Sequence, residues 1–215
     1  MSTPLYPLFL NLKGRSCLIV GGNELAEAKI QNIMDAGAKI QVIAPVVTPQ
    51  IAAWAQAGTL DWEARPYRDG DLRDAFLVIA VGSPENNARV FVEAEARRVL
   101  CNAVDDIEHC NCYAAAVVRR GPLQIAISTS GQSPALAQRV RKELEEQFDP
   151  GYAPWVERLG EVRRDLLRDE RLDSERRRAI LHEQASARAF EAFRSSLKAR
   201  SIRQNSGENS NGKES

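Results

Sequence analysis

No apolar run in this chain approaches the roughly 20 residues that a membrane-spanning helix needs; the longest conspicuous one, FLVIAV at 76–81, has the length of a strand. Net charge is also missing. Lys and Arg together number 29, and so do Asp and Glu, so nothing draws the molecule as a whole to nucleic acid or to an anionic membrane. Cysteine is sparse, with four (Cys17, Cys101, Cys110 and Cys112) in 215 residues, which gives no disulfide framework for a chain of this length. No basic stretch precedes the apolar patch of MSTPLYPLFLNLKG, so a secretory signal is not expected. These absences leave a soluble, cytoplasmic protein, long enough to bury a substantial core in one large domain or two small ones.

What is present is concentrated at 16–45, SCLIVGGNELAEAKIQNIMDAGAKIQVIAP. An apolar run, Cys17 to Val20, breaks at Gly21-Gly22 and passes at once into a helical pattern over 24–36. Gly37 ends that pattern, and a second apolar run, Ile40 to Ala44, follows. Strand, glycine turn, helix and strand within about 30 residues form the first unit of a dinucleotide-binding fold. Small residues let the backbone approach a pyrophosphate, and the helix N-terminus offers free N–H groups and partial positive charge to it. The motif reads Gly21-Gly22-Asn23-Glu24-Leu25-Ala26, with Asn23 where Gly-x-Gly-x-x-Gly/Ala has its second glycine. Asn tolerates positive φ better than most residues, which preserves the turn. Its side chain crowds a pyrophosphate unless its amide donates to it. No Asp or Glu lies between Gln41 and Gln50 to hold an adenine ribose. Gly21, Gly22, Asn23, Glu24 and Leu25 are candidate cofactor-binding residues, and Ala44, Pro45, Val81 and Gly82 are counted with them.

Further along, 49–58 reads as a helix, 60–64 as a short strand, 76–81 as a buried parallel strand, 86–98 as a helix and 100–104 as another buried strand. This alternation predicts an α/β fold with a Rossmann-like, doubly wound parallel sheet. After Asp106 the pattern changes. Residues 114–119 and 123–128 are strand-like and joined by Arg119-Arg120-Gly121-Pro122, the pattern of a β-hairpin. Ser133 and Pro134 then open a helix to about Phe148. Residues 154–200 hold at least two Arg- and Glu-rich helices, split near Asp173-Ser174, and 201–215 reads as a disordered tail. The expected division is a nucleotide-binding domain at 1–112, a dimerisation hairpin and helix at 113–148, a helical region at 149–200 and the tail.

Four blocks occur in order: YPLFLNLKGRSCLIVGGN (6–23), FLVIAVGSPE (76–85), CNAVDD (101–106) and RRGPLQIAISTSGQSPALAQRVRKELE (119–145). Together they closely resemble the NAD-dependent precorrin-2 dehydrogenase/ferrochelatase module of siroheme synthases, from about Tyr6 to Glu146. The resemblance implies an oxidoreductase that takes hydride and protons from precorrin-2 to give sirohydrochlorin and NADH. Many members also insert Fe²⁺, and the residues leave that second activity open. It further implies a homodimer whose hairpin-and-helix segment exchanges across the two-fold axis, and, with no methyltransferase segment in this sequence, methylation by another protein. Ser83, and Ala115 in place of a common proline, depart from the family pattern.

The same resemblance makes Asp105 the essential carboxylate, taking up protons in dehydrogenation and in metal insertion. From its position alone, Asp105 or Asp106 caps the next turn, and Asp106 is the better candidate for that. Ser128, Thr129, Ser130 and Gly131 fall in a loop that borders the tetrapyrrole cleft in the family, while Ser133 reads equally as a plain helix cap. Precorrin-2 carries eight carboxylates, so Arg119, Arg120, Arg139 and Arg141 are candidate substrate contacts, though each also suits a solvated charged face. His109, Cys110 and Cys112 are spaced too tightly for a closed zinc site, leaving His109 as a transient Fe²⁺ contact at most.

Overall fold

The computed structural model describes residues 4–208 of the chain, and their side chains as far as residue 199. By contacts the chain divides into two units. One runs to Ala114 and includes Ser130–Gln132; the other comprises Ala115–Thr129 and the residues from Ser133 onward. The expected boundary was 112/113. The return of three loop residues to the first unit was not foreseen.

In the first unit the strands are β1 (Ser16–Val20), β2 (Lys39–Ile43), β3 (Asp61–Glu63), β4 (Leu77–Ala80) and β5 (Leu100–Ala103), and the helices are α1 (Glu24–Asp35), α2 (Pro49–Gln56) and α3 (Pro84–Arg97). The five strands are parallel in the order β3-β2-β1-β4-β5, the doubly wound topology expected from the alternating pattern. Because side chains alternate across a strand, β1 feeds two cores. Cys17 and Ile19 pack with Ala26, Ile30 and Ile33 of α1 and with Ile51 of α2. Leu18 and Val20 pack with Val90 and Ala94 of α3 and with Cys101 of β5. Continuous apolar runs in the sequence therefore mean a sheet covered on both faces.

The helix expected at 86–98 begins earlier, at Pro84. Ser83 caps it by accepting from the Asn86 N–H at 3.4 Å, and Pro84 occupies the first turn, where a missing N–H costs nothing. The Ser83 departure thus has a local structural role. No strand or helix covers most of the stretch between β3 and β4. There Arg65 makes paired bonds to Asp71 at 2.8 and 2.9 Å, and Tyr67 donates to Glu93, which also accepts from the Gly70 N–H.

In the second unit β6 (Ala116–Arg120) and β7 (Leu123–Ile127) form the expected antiparallel hairpin, closed by Gly121-Pro122. Helix α4 (Pro134–Gln147) is capped by Ser133, which accepts from the Leu136 N–H at 3.2 Å. Three further helices follow: α5 (Tyr152–Arg168), α6 (Ser174–Gln184), capped by Asp173, and α7 (Ala187–Glu208). Phe148, Tyr152, Trp155 and Phe190 stack together, with ring centroids 4.2–5.7 Å apart. The helical backbone reaches Glu208, into the segment read as a disordered tail; residues 209–215 of that tail lie outside the described residues. Among the described residues no helix is long and apolar enough to cross a membrane.

Two glycines fix the exit from β1. Gly21 has φ +131°, and a Cβ there would stand 2.3 Å from the carbonyl oxygen of Val81; a Cβ on Gly22 would stand 2.3 Å from that of Val46. The Val81 oxygen cannot retreat without straining the bond from the Val81 N–H to the Val20 carbonyl at 2.7 Å. Gly21→Ala is expected to destabilise the first unit by on the order of 3 kcal/mol or more, read as a lowered urea midpoint followed by circular dichroism.

Candidate functional site

The C-terminal ends of β1, β4 and β5 open on one cavity of about 540 Å³. Its position follows from the strand order. β1 leads to one face through α1 and β4 to the other through α3, so their connecting loops part at the sheet's switch point and leave a crevice there. Asn23 and Leu25 line it from the start of α1, Val81 and Gly82 from the end of β4, and Asp105, Asp106, Glu108 and His109 from the turn after β5. Of the residues expected from the sequence, five cofactor or catalytic candidates (Asn23, Leu25, Val81, Gly82, Asp105) and His109 thus meet in one place.

Asn23 has φ −85°, so no positive φ is asked of it; Gly21 supplies the turn. The Asn23 Oδ1 accepts from the Ala26 N–H at 3.0 Å and caps α1. Its amide nitrogen is thereby turned away from the helix, with no partner among the described residues, as a donor to a pyrophosphate must be. The Glu24 and Leu25 N–H groups, first-turn amides without an intrahelical acceptor, also find no partner among the described residues. This donor set fits the diphosphate of a dinucleotide. The Glu24 side chain lies elsewhere, in a shallow recess with Glu27, Gln31 and Trp54. Ala44 is buried and its carbonyl accepts from the Trp62 indole at 2.9 Å, while Pro45 is exposed beyond it.

Asp105 and Asp106 are adjacent and differ sharply. Asp105 has φ +58°, a conformation that Asp tolerates better than most residues. It is exposed, and its carboxylate has no hydrogen-bond or ionic partner among the described residues. Asp106 is engaged from two sides. The His109 Nδ1 lies 2.8 Å from both of its oxygens, and the Asn87 amide nitrogen donates to Oδ2 at 3.4 Å. Asn87 in turn accepts the Gly82 N–H at 3.1 Å through its Oδ1. The hydrogen bond from His109 holds the Asp106 carboxyl below its usual range. Asn87, only 2% exposed, was not singled out from the sequence. Its signal was available: an amide at 87 lies on the same helical stripe as the buried Val90 and Ala94, where a polar group needs a buried partner.

Burial pushes the Cys101 thiol up to about 12 and Cys112 to about 11, and Cys110 is raised too. Among the described residues no group of three His, Cys, Asp or Glu is placed to hold a metal ion.

The loop candidates divide between the units. Ser130 and Gly131 belong with the first unit, where a Cβ on Gly131 would lie 2.6 Å from the Ile107 Cδ1, two residues past Asp105. Ser128 and Thr129 belong with the second, and the Thr129 hydroxyl accepts from the Ser133 N–H at 3.1 Å. The Arg120 guanidinium donates to the carbonyls of Phe148 and Glu145 at 2.6 and 2.9 Å, closing the end of α4. It is therefore occupied structurally, whereas the Arg119 side chain is exposed without a partner among the described residues. Arg139 and Arg141 pair with Glu143 and Glu145 on their own helix.

A parallel sheet in this order, with a crevice at its switch point and free amides at the first helix, defines a Rossmann-like nucleotide-binding protein. Residues 8–116 match the family described as putative NAD(P)-binding, and the chain belongs to it. Residues 120–147 match the family described as sirohaem biosynthesis protein, central, and the resemblance to the siroheme synthase N-terminal module is borne out. Siroheme synthase 1 of Serratia proteamaculans is 36% identical over 173 residues, covering 80% of this chain and 36% of the relative. Siroheme synthase of Shigella flexneri is 37% identical over the same length, covering 80% and 38%. This chain spans little more than a third of those relatives. The solved structure of "SirC, precorrin-2 dehydrogenase" superposes with a TM-score of 0.71 at 27% identity, covering 91% of this chain and all of that one.

Because Asp106 has a depressed pKa in the folded state, its stabilising contribution is complete above the ordinary carboxylate pKa and is lost as pH falls through that value to the folded one. Asp106→Asn is expected to unfold at lower urea than the wild type at neutral pH. The gap should close as pH drops below about 4, measured as urea midpoints across an acid series.

Proposed function

We propose that this chain is an NAD-dependent precorrin-2 dehydrogenase that also inserts Fe²⁺ into the sirohydrochlorin it makes. The observation that carries this reading is the unpartnered carboxylate of Asp105. It stands at the end of β5, in the same cavity as the free donors at the start of α1. The similarity to the siroheme synthases and to SirC supports the choice of substrate.

Dehydrogenation consumes precorrin-2 and NAD⁺ and releases sirohydrochlorin, NADH and one proton. NAD supplies the hydride acceptor when bound. Asn23, through its amide nitrogen, and the Glu24 and Leu25 N–H groups hold the diphosphate; Gly82, without a side chain, leaves the end of β4 open beside it. Asp105 takes the proton. A carboxylate with no competing partner is free to approach the carbon that loses it. Ser130 and Gly131, beside Ile107, border the substrate, and Arg119, exposed on the hairpin, is a cation of the kind that pairs with a carboxylate. Ser128 and Thr129 stand just before them in the same loop. Fe²⁺ is a substrate of the second step and not a resident metal.

The working form proposed is a homodimer. Tyr6, Leu8 and Phe9 are 83%, 68% and 67% exposed, an apolar surface that a second copy would cover.

The test is anaerobic NADH formation from precorrin-2 and NAD⁺, followed by addition of Fe²⁺ to the same sample. Asp105→Ala should lower NADH formation by about 10²-fold or more while the circular dichroism spectrum and unfolding midpoint stay in place. Undiminished turnover in that variant would remove Asp105 from the chemistry. NADH without later metal insertion in the wild type would restrict the activity to dehydrogenation.

A further inference from the structure

Insertion of a divalent metal breaks two pyrrole N–H bonds, so two protons must leave while two metal–nitrogen bonds form. Asp105 accounts for one acceptor. We infer that His109 is the second, its Nδ1 held by Asp106 and its Nε2 left to accept a proton in the cavity that Asp105 also lines.

The geometry fixes the chemistry of the ring. Nδ1 sits 2.8 Å from both Asp106 oxygens. An ionised carboxylate only accepts hydrogen bonds, so Nδ1 must carry the hydrogen. In the neutral imidazole the lone pair is then on Nε2, the nitrogen available as a base. Asp106 is kept ionised by that same bond, and Asn87 holds it in place from the other side at 3.4 Å, itself tied to the Gly82 N–H. The Phe91 ring meets the imidazole edge-on at 5.8 Å and limits its rotation. The side chain nevertheless remains 27% exposed and lines the cavity. Asn87, Asp106 and His109 thus form an oriented chain with a single free end, and a purely structural histidine needs no such end.

The surroundings suit the step. Asp105, Asp106 and Glu108 line the cavity, and no Lys or Arg is among its described lining residues. That excess of negative charge raises the local concentration of Fe²⁺. As the metal displaces them, one pyrrole proton passes to the Asp105 carboxylate and the other to the His109 Nε2. No electron changes hands, and both protons return to solvent before the next turnover.

This inference rests on the proposed dehydrogenase and chelatase reading, and the test separates the two. Fe²⁺ insertion into sirohydrochlorin is followed by absorbance for wild type, His109→Ala and Asp106→Asn, alongside NADH formation by the wild type. His109→Ala should lower the kcat of insertion by about 10²-fold with little change in the KM for sirohydrochlorin. Added imidazole should restore it with saturation, which a merely structural loss would not permit. Asp106→Asn should fall comparably, because an amide that donates to Nδ1 moves the ring hydrogen to Nε2. Imidazole should not rescue this variant, since its site is still filled by His109. Insertion that is unchanged in His109→Ala, or reduced but indifferent to imidazole, overturns the inference. Wild type that forms NADH and inserts no metal overturns it while leaving the dehydrogenase intact; wild type that forms no NADH overturns the functional reading and the inference with it.

Discussion

The close approach of the β1 exit to the end of β4 is the constraint on which the rest of the first unit depends. Val81 donates its N–H to the Val20 carbonyl at 2.7 Å, and Gly21 donates to that of Ile43 at 3.1 Å. The sheet is therefore paired up to the residue at which the chain turns. With the Val81 oxygen where a Cβ on Gly21 would need to be, the chain leaving β1 has one course open to it, directly into α1. That course fixes where α1 begins and which amides are left free. The crevice must then open between the start of α1 and the turns after β4 and β5. The glycine pair is thus required by protein packing first, and the anion site at α1 follows from it.

Against that wall two neighbouring aspartates take opposite parts. The positive φ of Asp105 reverses the chain just after β5, and Asp106 then meets Asn87 and His109. Whichever carboxylate is bound in a network is a poor base, because protonation would break its hydrogen bonds. The one outside the network keeps its acceptor capacity for a ligand. The proposal that Asp105 rather than Asp106 is the reactive carboxylate therefore has a physical basis in who their partners are, beyond the likeness of CNAVDD to related chains.

Much of this was legible in the sequence. The period and length of the apolar runs gave four of the five strands and their parallel arrangement, because a sheet covered on both faces leaves no polar alternation to misread; the partly exposed edge strand β3, Asp61-Trp62-Glu63, was read only as a short strand. The place of Asp105 in the cavity was legible from its position at a strand end. The early start of α3 was missed at Ser83-Pro84, where a cap and a first-turn proline outweigh the apolar periodicity that begins later. The third C-terminal helix was harder to foresee. Charged residues surround α6 on most sides, and the short break before α7 leaves little compositional trace. Arg120 shows the limit of reading charge by type. Nothing in RRGP tells which guanidinium turns inward to the carbonyls closing α4 and which stays free.

The Asn87 chain was illegible for a different reason: its meaning is relational. An asparagine on an apolar stripe, an aspartate after a strand and a histidine three residues on are each ordinary. They become one device only when α3 packs beside the turn after β5, bringing residues 87 and 106 to 3.4 Å. Burial then supplies the energetic argument. An amide 2% exposed with either side unsatisfied would cost about 1–3 kcal/mol, so Asn87 holds Gly82 and Asp106 together or destabilises the helix that carries it. The same tie that keeps α3 on the sheet therefore keeps the Asp106 carboxylate facing His109. Stability of the crevice and orientation of the imidazole are in this way one property, and a change at residue 87 cannot alter one without the other.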